Sequence, residues 1–257
     1  MAQFTRVQMA QLLFFLRERD IAKALLVVKD VLSSMRSSGQ SDSSSREATD
    51  FLGGGVGRAI RDGQIVGHPV PPILEKLMNL SQGSKADIGF SISDIVALGN
   101  QMEFTDFSVT TVQNWVKRDV KELIATPQSG KKYSVEQVAT IFIIEDFKSS
   151  LDFDAIRRVM GLIFNDPTSD EDDIIHPVDF LAAYSSIFEE LRMKGTPIDE
   201  VAQRAHELVS RMDHLTEEEQ STVERALVIA VLTLQASNFQ LAAKTLASTT
   251  ILSKRLI

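Results

Sequence analysis

The sequence has no cysteine. A disulfide scaffold, a thiolate zinc site, a cysteine nucleophile and thiol-based sensing are therefore excluded. Histidine is nearly as scarce, with four residues at 68, 176, 206 and 214. His206 and His214 stand eight apart, two turns along one helix, whereas zinc ligands on a helix sit three or four apart. No Ser/His/Asp grouping and no close carboxylate pair stands out, so catalysis, a resident metal and a cofactor are not expected. Long apolar runs are missing as well. Leu12 to Leu16 is a run of five, ended at once by Arg17, and a secretory leader needs a longer stretch with a small-residue cleavage site. The most apolar window, ALVIAVLTL at 226–234, is nine residues, against the roughly 20 that span a bilayer. The expectation is a cytoplasmic protein with no membrane partner. The formal charge is −8, from 27 basic and 35 acidic residues, which excludes a surface that attracts polyanions everywhere.

Two tempting motifs lack their defining residues. Gly53, Gly54, Gly55 and Gly57 suggest a phosphate cradle, but Arg58-Ala59 stands where a P-loop ends in Lys-Ser/Thr, and a Ser-rich stretch precedes it instead of a strand. A flexible turn is the expectation. The acidic run Asp166, Asp170, Glu171, Asp172 and Asp173 fails as a calcium loop, because Glu171 and Pro177 occupy the positions that need Gly and Glu. A solvated loop is expected there.

What is present is helical. The 257 residues are 44% hydrophobic and 24% charged, ordinary values for a folded protein. Thr5-x-x-Gln8 and Thr216-x-x-Glu219 have the capping-box spacing, and Asp20, Ser93, Ser108 or Thr110, Ser134 and Asp154 are further candidate caps. Residues 33–45 hold eight Ser in thirteen positions and cannot bury enough apolar surface to offset their ordering entropy. The division expected is a helical hairpin over 1–36, a Ser-rich linker over 37–50, a helix-turn-helix region over 51–165 and a C-terminal helical region over 166–257. The fold class is all-α, with at most a small β wing flanking the 126–133 loop.

One segment breaks with the acidic balance. Residues 107–134 carry Lys117, Arg118, Lys121, Lys131 and Lys132 against Asp119 and Glu122. A local positive patch on an acidic body suits an anionic partner held on one face. On a helical wheel Val109, Val112, Trp115 and Val116 form a core stripe, leaving Thr110, Thr111, Gln113, Asn114, Lys117 and Arg118 outward. Asn and Gln pair with adenine edges, Arg and Lys with guanine, and hydroxyls at a helix start hold phosphates.

The stretch FSVTTVQNWVKRDVKELIATPQSGKKYSVEQVATIFIIEDFKSSLDFDAIRRVM resembles the winged helix-turn-helix of MerR-type transcription regulators. The matching residues are Ser108 to Val112 opening the recognition helix, Leu123-Ile124, Pro127 with Gly130-Lys131-Lys132 in the wing, Tyr133-Ser134 opening a long helix, and Phe153 to Ile156. The span from about 70 to 190 also resembles an uncharacterised bacterial domain family that carries this motif, through Thr111, Asn114, Val116, Lys117, Pro127, Lys131, Lys132, Tyr133 and Ser134. Asn114-Trp115 and Lys117 replace the aromatic pair and Arg of typical MerR recognition helices. The resemblance implies a regulator that binds double-stranded DNA as a homodimer. Ser108, Thr110, Thr111, Gln113, Asn114, Lys117 and Arg118 would meet DNA from the helix, and Lys131, Lys132 and Tyr133 from the wing. No effector is identified. The alternative is a helical protein-interaction adaptor without DNA binding, which the acidic total charge favours.

Overall fold

The first helix, α1 (Arg6–Arg17), begins where Thr5 and Gln8 satisfy each other's free backbone donors, at 3.1 and 3.0 Å. Arg19, at φ 56°, ends it. Asp20 then accepts from the Lys23 N–H at 3.1 Å and opens α2 (Ile21–Ser38), so the two form the expected hairpin. In this computed structural model residues 4–38, 64–65, 68–80, 88–127, 130–165, 173–192 and 197–254 are described. The greater part of the Ser-rich linker, the glycine cluster at 53–57 and most of the acidic run at 166–173 lie outside them.

Next come a two-residue antiparallel hairpin, β1 (Gln64–Ile65) and β2 (His68–Pro69), and α3 (Pro72–Met78), with proline at its first position. α4 (Ile92–Gly99) is capped by Ser91 with Asp94, not by Ser93. α5 (Val109–Asn114) is capped by Ser108 and runs straight into a wider π-helical turn, Trp115–Asp119. α6 (Lys121–Ile124) follows, then α7 (Val135–Lys148), where Ser134 and Gln137 form a capping box. α8 (Phe153–Met160) starts at Asp152, whose carboxylate accepts from the Ala155 N–H at 2.8 Å, and not at Asp154. α9 (Pro177–Leu191), α10 (Ile198–Val209) and α11 (Glu217–Lys254) complete the chain. Two of the shifted caps share one reason. Ser91 and Asp152 each stand in extended backbone with a carbonyl free to start the ladder, while the candidates two residues later are already helical.

α7 is the axle of the core. Val138, Ala139, Ile141, Phe142, Ile143, Ile144 and Phe147 are all inaccessible, because α1, α9 and α11 pack around it. Burying each large apolar side chain contributes about 1.5–3 kcal/mol, so this helix alone supplies a large part of the driving force. One apolar cluster runs from Phe4 to Leu234. α1 joins it through Met9, Leu12, Leu13 and Leu16, and Arg17 bridges to Asp179 on α9 at 2.9 and 3.1 Å.

α11 divides into two halves. Ala226, Leu227, Ala230, Val231 and Leu234 are buried under α7, α9 and α10, and Val228, Ile229 and Leu232 are half-buried, much as the all-round apolar pattern requires. Beyond Leu234 the helix leaves the body, and residues 239–248 are exposed on every side. The span Glu217–Ser248 is long and apolar enough, by length and composition alone, to cross a bilayer. Its first half is packed as a core helix, and the nine-residue window understated its apolar length.

The wing hairpin expected around the 126–133 loop is not formed among the described residues. Tyr133 instead makes a single antiparallel bridge to Phe90, with N–H to carbonyl distances of 2.8 and 2.9 Å. The hairpin that does form lies at 64–69.

Candidate nucleic-acid interface

α5 is anchored from beneath by two side chains. Val112 is inaccessible and Trp115 nearly so, and Trp115 meets Phe107 edge-to-face at 6.3 Å. Phe107 in turn packs on Phe142 of α7 at 5.6 Å. A Cβ on Gly99 would lie 2.5 Å from the Phe107 ring, so only glycine at the end of α4 lets that ring close the joint. The connection between α4 and α5 is pinned by Asn100, whose side chain donates to the Phe107 carbonyl at 2.9 Å and accepts from its N–H at 2.8 Å. α4 and α5 thereby pack on each other as a pair, joined to α7 through the Phe107–Phe142 contact.

Most of the outward residues are where the wheel places them. Thr110, Lys117 and Arg118 are exposed, and Thr111, Gln113 and Asn114 are half-exposed. Ser108 is exposed, but its hydroxyl is engaged: it accepts from the Thr111 N–H at 3.0 Å and lies 2.7 Å from the Thr111 hydroxyl. Val109 departs from the expected core stripe and is 40% exposed, because the first turn of α5 projects past the Phe107–Trp115 contact. Val116 is half-buried against the core.

Lys131 and Lys132 are exposed, and Lys131 lies just past Gly130 with both at positive φ, 70° and 53°. The Lys132 stem rests on Gly89, where a Cβ would come within 2.7 Å of it. Tyr133 corrects the expected site. It is buried at 5% exposure and its backbone is committed to Phe90, and burial pushes its hydroxyl above the usual tyrosine range. It is turned into the core and does not face solvent with the two lysines.

The acidic residues of the segment are turned to structural use. Glu122 and the Asp119 carbonyl both accept from Arg157 on α8. Burial opposes ionisation of Glu122, but the hydrogen bond from Arg157 wins and its carboxyl lies below the ordinary range. Arg118 lies 3.9 Å from Asp119, too far for a strong hydrogen bond.

A buried ionic network lies behind the helix pair. Arg6 donates to both carboxylate oxygens of Asp146 at 3.1 and 2.6 Å, and the Tyr184 hydroxyl donates to the same group at 2.7 Å. Desolvation works against the Arg6 charge, but Asp146 outweighs it, and burial beside Asp146 lifts the Tyr184 hydroxyl well above its ordinary value. Arg6 also donates to the Glu103 carbonyl in the α4–α5 connection. Glu103 is held by Arg192 at 2.8 Å, though burial still leaves its carboxyl above the usual range. Next to Asp146, Glu145 accepts from the Asp106 N–H, and burial together with the Asp146 charge pushes its carboxyl up to about 7. None of Arg6, Glu103, Glu145 and Arg192 is marked by sequence pattern, since their partners lie many residues away. The one local signal is charge inside apolar helices, as with Glu145-Asp146 in α7.

Among the described residues no group of three or more His, Asp or Glu could hold a metal ion. His206 pairs with Glu224 at 3.1 Å on the surface.

The helix pair, the loop that carries Lys131 and Lys132, and α7 coincide with a recognised domain. Residues 87–186 match the family described as Domain of unknown function (DUF1836), and the chain belongs to that family. The likeness reaches beyond this domain in the uncharacterized protein YkrK of Bacillus subtilis (strain 168). That protein is 33% identical over 178 residues, which cover 66% of this chain and 76% of the relative. No solved structure matches the chain.

Proposed function

We propose that this protein is a cytoplasmic regulator of transcription that binds double-stranded DNA through a MerR-like winged helix-turn-helix. One observation carries the reading. α5 is fixed to the body by Val112 and Trp115, while Thr110, Lys117 and Arg118 are exposed and Gln113 and Asn114 half-exposed along the side that would enter a groove. The exposed Lys131 and Lys132, on the loop where the family motif has its wing, supply phosphate contacts. The positive patch sits on a chain of formal charge −8, which suits a single face of contact.

A homodimer belongs to the same reading, because one recognition helix reads only a short half-site and two-fold symmetry doubles it. The exposed end of α11 supports it. Phe239 is 69% and Leu246 is 68% exposed, and with Ala242 and Ala243 they line one side of a helix bearing a single charge, Lys244, between 235 and 248. A free helix of that length is marginal in water, so a second copy is its natural cover.

The test compares Asn114→Ala and Lys132→Ala across a salt series, on a duplex selected from a random library and on random DNA. Losing a base reader should cost about 1–3 kcal/mol on the selected site and little on random DNA. Losing a phosphate contact should weaken both and reduce the log–log salt slope by about 0.9. If folded protein shows no salt-dependent retention on DNA or heparin, the adaptor reading replaces this one.

A further inference from the structure

The connection between α4 and α5 contains a bulky residue in an unfavourable backbone state. Phe104 has φ 62°, the left-handed region that a side chain with a Cβ avoids. Such a conformation persists only where its surroundings hold it, and it is often found at switch regions. Three contacts hold this one. Phe4 accepts from the Glu103 N–H at 3.1 Å and donates to the Gln101 carbonyl at 2.6 Å. Arg6 grips the Glu103 carbonyl from the buried side. Arg192 takes both residues at once: its Nη1 lies 2.8 Å from Glu103 Oε1, and its guanidinium sits 5.5 Å over the Phe104 ring.

Arg192 stands apart from the other two holds. It is the C-cap residue of α9, outside the 87–186 match, and belongs to the C-terminal body. Glu189, one turn back, shares it at 3.3 Å and fixes its direction. Its carboxylate partner Glu103 is poorly hydrated, with 12% of its side chain exposed, so the pair is screened little by solvent. From the strained residue the chain runs three positions to Phe107, which Asn100 clamps and on which Trp115 of the DNA-reading helix packs.

We infer that Arg192 is a positioning residue for the DNA-reading helix: through Glu103 and Phe104 it holds the strained connection that sets how α5 is presented, and so couples DNA affinity to the end of α9. The inference rests on the DNA-binding reading. Arg192 touches no DNA in it and acts only through the turn, so a movement of α9 that withdraws the guanidinium releases the strain and lets the helix pair relax.

The experiment uses the full chain with Arg192→Met, Glu103→Gln, the double variant, and the charge exchange Glu103→Arg with Arg192→Glu. Amide hydrogen exchange is read at 101–108 and, as a control, in α7, and salt-dependent retention is read on random duplex DNA. R192M should speed exchange in the turn by about tenfold while α7 stays protected, and should weaken DNA binding several-fold. The double variant should be no worse than R192M, and the charge exchange should recover part of both losses. Glu103→Gln, a neutral isostere, serves if R192M does not fold. Unchanged turn exchange in a folded R192M overturns the inference. So does a loosened turn with unaltered DNA affinity, and in that case the DNA-binding reading stands. A wild-type chain that never binds DNA overturns the reading, and the inference with it, whatever the turn does.

Discussion

Replacing Glu145 by glutamine should make the protein more stable, by an amount that grows as pH rises above about 4.5 and levels off above about 7. In the folded chain its carboxyl sits at about 7 against an ordinary 4.5, chiefly because of burial and secondarily because of Asp146. At 1.36 kcal/mol per unit this is a penalty of about 3 kcal/mol on the ionised form, and partial exposure of the side chain reduces it to about 2 kcal/mol. The folded state holds this proton more tightly than the unfolded state. The favourable contribution is therefore complete below about pH 4.5 and disappears as pH rises from there through 7. Glutamine keeps an oxygen to accept from the Asp106 N–H and removes the charge. Urea unfolding at pH 5, 6.5 and 8 should give a gain for the variant of about 0.5 kcal/mol at pH 5, about 1.5 kcal/mol at pH 6.5 and about 2 kcal/mol at pH 8. A difference that stays constant with pH, or a variant weaker than wild type at pH 8, would refute the reasoning.

Val112→Asp puts a carboxylate where no solvent reaches, and should cost about 3–5 kcal/mol in urea unfolding and abolish DNA retention together with the fold of the helix pair. Tyr184→Phe withdraws the hydroxyl that donates to Asp146 and should cost about 1–3 kcal/mol by the same measurement, because the carboxylate keeps Arg6 but loses a buried partner. Phe239→Glu with Leu246→Glu lies on the exposed end of α11. Thermal unfolding at low concentration should be unchanged, while sedimentation equilibrium at tens of micromolar moves from a dimer to a 28.5 kDa monomer. A wild-type chain that is already monomeric there would remove the dimer from the proposed function.

The elements legible in the sequence were those whose cause is local. The boxes at Thr5, Ser134 and Thr216, the all-round apolar run near 226–234 and the polar face of α5 each depend on neighbours within a turn or two, and each is found in the fold. Ser91-x-x-Asp94 and Ser93 both stand next to the apolar run, and only the extended backbone at Ser91 makes it the cap. A wheel has no ends and so sets Val109 on the core stripe, whereas a real helix stops being covered where its support stops. Tyr133 looked like a wing residue because it follows two lysines; it is turned inward by a pairing with Phe90, a residue 43 positions earlier. The clamp of Phe4, Arg6 and Arg192 on the α4–α5 connection depends entirely on contacts of this long-range kind.

The wider turn at Trp115–Asp119 has a consequence for length. A π turn accommodates one residue more than an α turn of the same rise, so the chain carries a surplus residue inside the helix that begins at Val109. Each residue advances an α-helix by about 100°, and by the end of the turn at Asp119 the surplus has swung the chain by about that angle relative to a regular helix. Lys117 and Arg118 stand inside that turn, and the buried Val120 closes it with its N–H on the Trp115 carbonyl at 3.2 Å. A homologue shorter by a single position here would keep every side chain of the pair and still point them in a different direction from the body. Within this family a one-residue gap at 115–119 is therefore a change of aim, and alignments that slide across it compare side chains facing different ways.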